Sequence, residues 1–539
     1  MGAGVGAARR RRGTAAGLFG AALLVAGTIL TAGGAYAQPL PTPGGHSAGQ
    51  GEDDDNQGDQ GGEQGDQGGR KGDHGKGTPR TGESPSAGPT RRAEPPAGST
   101  PGGSGSPVAR PVPATGAVLA TAASGPEAAV PTAQGLQQAL APALADKNLG
   151  TVTIAVADAA GGQLLYGSGE NTPATPASTT KLATSVAALS LIPGDTRLTT
   201  RVVRGADPDA ITLVGGGDPT LTALPADQVQ IGGRPADADT APASLEDLAR
   251  QTATALKAAG TTTVKLDYDL SMYAGNPQHK TNPDNHNIAL VVPLMVDEAK
   301  VDPKSREEAP DRVADPADAA AEAFAKLLAA QGVTVEGRAK PAAAPAAADA
   351  PVLGKVDSPT VARLVERALT TSDNQLAEAI ARQVALAAHQ PASFDGAATA
   401  VTQELAKLGV PMTGVVLDDG SGLHTGNAIP PAVLVQLLAL AASEQHPALR
   451  PVLTGLPVAG FTGTLDKRYG SGSGAADAAG LIRAKTGTLS GVNTLAGTVV
   501  DADGRLLAFA VMTRTSAPAD TARAAMDRIA AHLTTCGCH

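Results

Sequence analysis

A serine hydroxyl becomes a nucleophile only beside a base, because the free alcohol is almost wholly protonated at neutral pH. Ser178-Thr179-Thr180-Lys181 offers such a pairing. At a helix start, residues three apart share a face, so the Lys181 amine can approach the Ser178 oxygen, and the helix N-terminus favours negative charge there. A desolvated lysine near another cation loses its proton readily enough to act as the base. Alone, the pair is equally an N-cap serine followed by a solvated lysine, and this spacing arises about once by chance in a chain of this length. Two later elements bear on it. Ser372-Asp373-Asn374 falls where one helical pattern ends and another begins, which presents a hydroxyl and an amide from a turn. Asp373 there is also a good helix cap for Asn374-Gln375-Leu376-Ala377-Glu378. Lys485-Thr486-Gly487-Thr488 lies on a strand pattern starting at Leu481. Its Lys and Thr groups suit a carboxylate and Gly487 allows close backbone approach, although a solubilising edge-strand lysine reads the same way.

Elements so far apart in sequence need a folded body to bring them together, and one begins after Pro131. Gly135 to Asn148 has the apolar spacing of an amphipathic helix, and Thr151 to Ala157 alternates as a strand. The apolar run Lys181 to Leu189 is helical and ends before Pro193. Further helix starts are signalled by Ser244 with Asp247, by Asp315 before Pro316, and by Ser358 before Pro359. Leu481 to Gly487, Asn493 to Val500 and Arg505 to Met512 are predicted as three successive strands, followed by a helix from about Pro518 to Leu533. Strands and a helix at each end, with helices between, predict an α+β body: an antiparallel sheet flanked by helices, beside a helical cluster.

The remaining sequence is of another kind. Residues 1–37 read as an export signal, with Arg9 to Arg12, an apolar stretch from Ala15, and Ala35-Tyr36-Ala37 before a cut at Gln38. An uncleaved membrane anchor is the other reading, since the apolar stretch nears spanning length. Both put the body outside the cytoplasm. Residues 38–129 are Gly, Pro, Gln, Ser and Asp with hardly a large apolar side chain, and are expected to be disordered. The body therefore spans 130–539. A formal charge of −10 without a basic stripe argues against nucleic acid as a partner. The two cysteines, Cys536 and Cys538, exclude a disulfide scaffold and a multi-cysteine zinc site, and the nine histidines show no His-Glu-x-x-His pairing.

Ser-x-x-Lys, Ser-Asp-Asn and Lys-Thr-Gly in this order form the signature of penicillin-binding proteins and class A β-lactamases. The chain most closely resembles the low-molecular-mass D-alanyl-D-alanine carboxypeptidase/endopeptidases of the PBP4 (DacB) type, peptidase family S13. The resemblance covers about Pro131 to His539 and rests also on Pro176 to Leu182, Gly215 to Leu221, Leu294 to Asp297, Asp419 to Leu423 and Arg483 to Gly491. It implies a β-lactamase/transpeptidase-like serine peptidase fold. The 190 residues (182–371) between Lys181 and Ser372 far exceed what a compact β-lactamase needs, and strand patterns at Arg197 to Val203 and Ile211 to Val214 show that they are structured. Additional domains inserted at about 200–355, between the Ser-x-x-Lys and Ser-x-Asn motifs, are thus expected. Tyr268 and Tyr273 are the nearest aromatic groups there and read more readily as core than as substrate contacts.

By the same resemblance, Ser178 attacks the carbonyl between two D-alanines, Lys181 takes its proton, and Ser372 relays a proton to the leaving amine. Asn374 would bind the substrate amide, and Lys485, Thr486, Gly487 and Thr488 would form the carboxylate-binding strand. The backbone N–H groups of Ser178 and Thr488 would make the oxyanion hole. The implied partners are peptidoglycan stem peptides ending in D-Ala-D-Ala and β-lactam antibiotics, with a membrane only if the N-terminal segment is retained, and no metal or cofactor. A β-lactamase and a non-catalytic wall-binding homologue are the alternatives. The first is disfavoured because Glu404-Leu405-Ala406-Lys407-Leu408 does not match the Glu-x-x-Leu-Asn run that activates deacylating water.

Overall fold

The computed structural model describes residues 128–539 apart from 232, 282–285 and 308, so the export segment and nearly all of the low-complexity stretch lie outside the described residues. Helix α1 (Ala133–Leu144) starts where the Thr132 hydroxyl accepts the Gly135 N–H at 3.0 Å. It stops short of Asn148, because Asp146 accepts the Asn148 N–H and opens a separate 3-10 turn at Lys147–Leu149. Strands β1 (Thr151–Asp158) and β2 (Leu164–Ser168) pair antiparallel. Helix α2 (Thr180–Leu191) follows, buried on nearly every side, and ends before Pro193, as the residue before a proline disfavours helix.

The chain then leaves this layer and builds a second sheet. Strands β3 (Arg197–Arg204) and β4 (Ala210–Val214) form a hairpin, followed by a minor hairpin of β5 (Gln230–Ile231) and β6 (Arg234–Pro235). Helix α3 (Leu245–Ala258), capped by Ser244 on the Asp247 N–H, carries the chain over to β7 (Thr263–Asp269), which lies parallel to β4. Helix α4 (Pro316–Ala330) starts at Asp315 with Pro316 in its first turn, where a missing N–H costs nothing. Strands β8 (Thr334–Val335), β9 (Lys340–Pro341) and β10 (Val352–Thr360) complete the order β10-β3-β4-β7-β8, with β9 on β7. Leu248, Leu256, Phe324 and Leu328 of the two helices pack on Ile211, Leu213 and Leu266 of this sheet. All of it falls between Lys181 and Ser372.

One helix start is corrected. Ser358 and Pro359 lie in β10, not in a helix: the Ser358 hydroxyl accepts the Leu198 N–H at 2.9 Å, and a proline is tolerated because β10 is an edge strand. Helix α5 (Val361–Thr370) is capped instead by Thr360. Helices α6 (Asn374–Ala387), α7 (Phe394–Lys407), α8 (Pro431–Ala442) and α9 (Arg450–Thr454) then gather around α2. Strands β11 (Ile482–Leu489), β12 (Val492–Val500) and β13 (Leu506–Arg514) return to the first sheet in the order β11-β12-β13-β1-β2, and α10 (Ala519–Thr534) closes the chain. Cys536 and Cys538 beyond it are paired with one another.

The central strands show how a chain with 2% aromatics builds a core. Alternation splits β1 and β13 by size. Ala155, Ala157, Ala508 and Ala510 face the helical cluster, whereas Ile154, Val156, Leu507, Phe509 and Val511 face α1 and α10. The small face lets α8 lie close on the sheet, and the large face fills the opposite layer. Against the second sheet, Phe324 of α4 is fully buried. Phe324→Ala should lower stability to urea by about 3–5 kcal/mol, the usual cost of emptying a phenyl-sized site; a loss below about 1 kcal/mol, within the range of surface changes, would mean that α4 is not part of a packed core.

Candidate active site

Ser178 sits in a 3-10 turn, Ala177–Thr179, immediately before α2. The turn bends back through Ala177 in the left-handed region (φ 47°) and is pinned by hydroxyls: Thr494 and Thr179 both donate to the Pro176 carbonyl, at 2.8 and 2.7 Å, and Thr180 donates to that of Ala177. Two glycines let other chain segments reach it. A Cβ on Gly487 would lie 2.9 Å from the Ser178 nitrogen and 2.2 Å from the Thr494 hydroxyl. Gly422, at φ 87°, passes so close that a Cβ would stand 1.9 Å from the Ala177 oxygen.

At the second residue of α2, Lys181 is 1% exposed and its amine is directed at three oxygens: Ser178 Oγ at 2.9 Å, Asn374 Oδ1 at 2.7 Å and the Ser421 carbonyl at 2.8 Å. Burial pushes its pKa down to about 8, against the pull of the Asp419, Asp373 and Glu378 carboxylates. A neutral amine within reach of a serine hydroxyl is a general base in waiting.

Ser372 stands at φ 60°, in the turn between α5 and α6, and its hydroxyl accepts from the buried Lys485 amine at 2.8 Å. Lys485 also donates to the Thr486 carbonyl. Asp373 does cap α6, accepting the Leu376 N–H, so the cap and the presented Ser372 and Asn374 are the same turn. Asn374 donates to the Asn287 carbonyl at 3.2 Å, which leaves its own oxygen for Lys181. Strand β11 is an edge, but its lysine is fully buried and is not a solubilising residue; the strand faces the Ser178 turn through Gly487. The Thr486 hydroxyl shares a hydrogen bond with Thr464, and that of Thr488 accepts from Arg523 at 3.1 Å.

Several groups that hold this arrangement lie outside the three short motifs. Glu378, on α6, accepts the N–H groups of Gly420 and Ser421 and so aims the Ser421 carbonyl at Lys181. Asp419 closes the same loop, accepting from Gly422, His424, Asn427 and His279. His279, Glu378 and Asp419 place donor atoms within 4.8 Å of one another, a set able to ligate a cation. Arg382 lies beside this set, 3.9 Å from Glu378 and stacked over the Phe394 ring. Beneath the Ser372 turn, Glu298 pairs with Arg367 and Lys300; burial, and then the Glu298 charge, push Asp373 up to about 6. Glu404 is elsewhere, bonded to Ser190 and Lys407. Tyr268 is buried in the second sheet's core, and the Tyr273 hydroxyl accepts from Gln383.

The sequence profile of the D-Ala-D-Ala carboxypeptidase 3 (S13) family matches residues 136–311 and 304–533. Carboxypeptidase DacB of Mycolicibacterium smegmatis is 36% identical over 419 residues, 76% of this chain and 86% of that protein. A D-alanyl-D-alanine carboxypeptidase of Actinomadura sp. is 35% identical over 227 residues, 41% of each. The crystal structure of penicillin binding protein 4 (dacB) from Haemophilus influenzae shares the fold, with a TM-score of 0.59 at 20% identity, over 75% of this chain and 99% of that one.

With Lys181 as the base, its lowered pKa of about 8 predicts the pH dependence of attack by Ser178. Acylation of Ser178 by an electrophile should climb about tenfold per pH unit below pH 8 and level off above it. Asp373→Asn keeps a capping side chain but removes a carboxylate that raises the Lys181 pKa, so the rising limb should shift to lower pH. A limb that stays in place in Asp373→Asn, or a flat profile in the wild type, would remove Lys181 from the role of base.

Proposed function

Because the chain belongs to the D-Ala-D-Ala carboxypeptidase 3 (S13) family, we propose that it is a serine-type D-alanyl-D-alanine carboxypeptidase of peptidoglycan whose acyl-enzyme forms on Ser178. The observation that carries the residue assignment is that two lysines tie the three motifs together: Lys181 bridges Ser178 to Asn374, and Lys485 holds Ser372. Lys181 takes the Ser178 proton as Oγ bonds to the carbonyl carbon of the penultimate D-alanine. The backbone N–H groups of Ser178 and Thr488 receive the oxyanion, each contributing about 3–4 kcal/mol to the barrier. The proton returns to the leaving D-alanine amine through Ser372, and Asn374 holds the substrate amide. Water then cleaves the ester. The catalytic body acts on the outer side of the cytoplasmic membrane, where its substrate lies, with 1–37 as the export segment.

β-Lactams mimic the D-alanyl-D-alanine end, and ring opening leaves no departing fragment. Glu404, the glutamate whose position in sequence comes nearest to a deacylating base, is tied to Ser190 and Lys407. Slow release of the penicilloyl group follows. Fluorescent penicillin should label the wild type stably, Ser178→Ala not at all, and Lys181→Ala barely. Release of free D-alanine from a pentapeptide stem, against cleavage of a cross-linked dimer, separates carboxypeptidase from endopeptidase use of the same residues. Rapid penicillin hydrolysis with no trapped adduct would turn the reading into a β-lactamase; labelling of Ser178→Ala would remove the nucleophile.

A further inference from the structure

A peptide that ends in a free carboxylate must have that charge met by a cation or by several N–H and O–H donors once it enters a partly dry site. The carboxylate-binding strand β11 carries a cation in Lys485, but its amine is buried and spent on Ser372 Oγ and the Thr486 carbonyl, on the side of the reacting serines. The far end of that strand is served from α10. Arg523 sends Nη2 to the Thr488 hydroxyl at 3.1 Å, and its side chain is one-third exposed. We propose that Arg523 is a specificity-determining residue that binds the substrate's C-terminal carboxylate jointly with Thr488, an inference that rests on the carboxypeptidase reading above.

Three features favour this over a surface arginine that happens to touch a threonine. A threonine hydroxyl has one proton to give, and by accepting from Arg523 the Thr488 oxygen leaves that proton for a substrate acceptor. Two residues earlier on the same strand, Thr486 pairs in turn with Thr464 of the 3-10 turn Gly463–Leu465. Second, the guanidinium is weakly held elsewhere: its other partner, Asp520 at 3.2 Å, is 94% exposed, and such a pair contributes little. An incoming carboxylate can displace it and take both arms of the planar fork. Third, the helical turn is fixed against the strand. Arg468 forks onto Asp527 at 2.6 and 3.0 Å and donates to the backbone carbonyl of Arg523 itself. Arg468 is four residues from Thr464 in the segment that leads into β11, so one clamp sets the distance from Arg523 to Thr486 and Thr488.

The test compares two substrates that differ only in that charge: an N-acetylated tripeptide ending in D-Ala-D-Ala and the same peptide ending in the carboxamide. Benzylpenicillin and its methyl ester form a second pair, read by acylation rate. Arg523→Ala should lower kcat/KM for the acid by about tenfold to a hundredfold, the usual worth of a charge-assisted bond, and leave the amide nearly unchanged. Arg523→Lys should recover part of the preference and Arg523→Gln little of it; thermal melting of all three confirms that they fold. Equal losses on acid and amide, or an unchanged preference in the folded variants, would overturn the assignment. A wild type that neither turns over the acid nor takes up penicillin would instead sink the carboxypeptidase reading, and this inference with it.

Discussion

The site depends on keeping one amine dry. A lysine buried to 1% exposure loses its hydration, and the structure offsets that with three oxygens from three parts of the chain. Ser178 is local, but Asn374 and Ser421 lie 193 and 240 residues further on. Any of these partners left out would strand a donor in the interior at a cost of about 1–3 kcal/mol. The Lys181 amine, the base in the proposed mechanism, is therefore also the tie that draws α2, α6 and the Asp419 loop together. Its pKa is a balance between burial, which favours the neutral amine, and three carboxylates, which favour the cation. Were those carboxylates closer, Lys181 would stay charged and inert; were they absent, it would be a weaker base.

Close approach is the second constraint, and here backbone chemistry decides. Gly422 and Gly487 bring two segments to within contact of Ala177 and Ser178, where any side chain would collide with main-chain atoms. Threonine hydroxyls then replace the solvent that this crowding excludes, as at the Pro176 carbonyl, which accepts from both Thr179 and Thr494.

What could be read beforehand follows the range of the interactions concerned. Local periodicity located β1, α2, the last three strands and α10, since burial of alternate or every-third side chains is written in the sequence itself. That Ser178, Lys181, Ser372, Asn374 and Lys485 would meet in space was legible from three short motifs taken jointly, since each alone reads equally well as a cap or an edge residue. Ser358 misled, because a Ser-Pro pair serves an edge strand as well as a helix start, and only the Leu198 N–H decides between them. Glu378, Glu298 and Arg523 left no trace. Each acts through a partner more than thirty residues away, so no window along the chain contains both ends of the bond.

Glu298 shows that the second sheet is not a passive appendage. Asp297, Glu298 and Ala299 are three consecutive non-glycine residues in the left-handed region, a conformation that costs of order 1–3 kcal/mol per residue. The turn persists because its neighbours over-determine it. Asp297 accepts from the Thr222 hydroxyl and the Ala223 N–H, while the N–H groups of Asp297 and Glu298 reach the carbonyls of Leu221 and Pro219. Thus Gly215 to Leu221 and Leu294 to Asp297, two stretches with no evident chemistry of their own, are the two halves of one device. Its product is a buried carboxylate set against Arg367 of α5 and Asp373 of α6. Glu298 and Asp373 cannot both be charged and unpaired in that space, so Arg367 and Lys300 are drawn in, and the α5–α6 turn is clamped at the point where it must hold Ser372 at positive φ. The residues between the first two motifs thereby fix the geometry of the second.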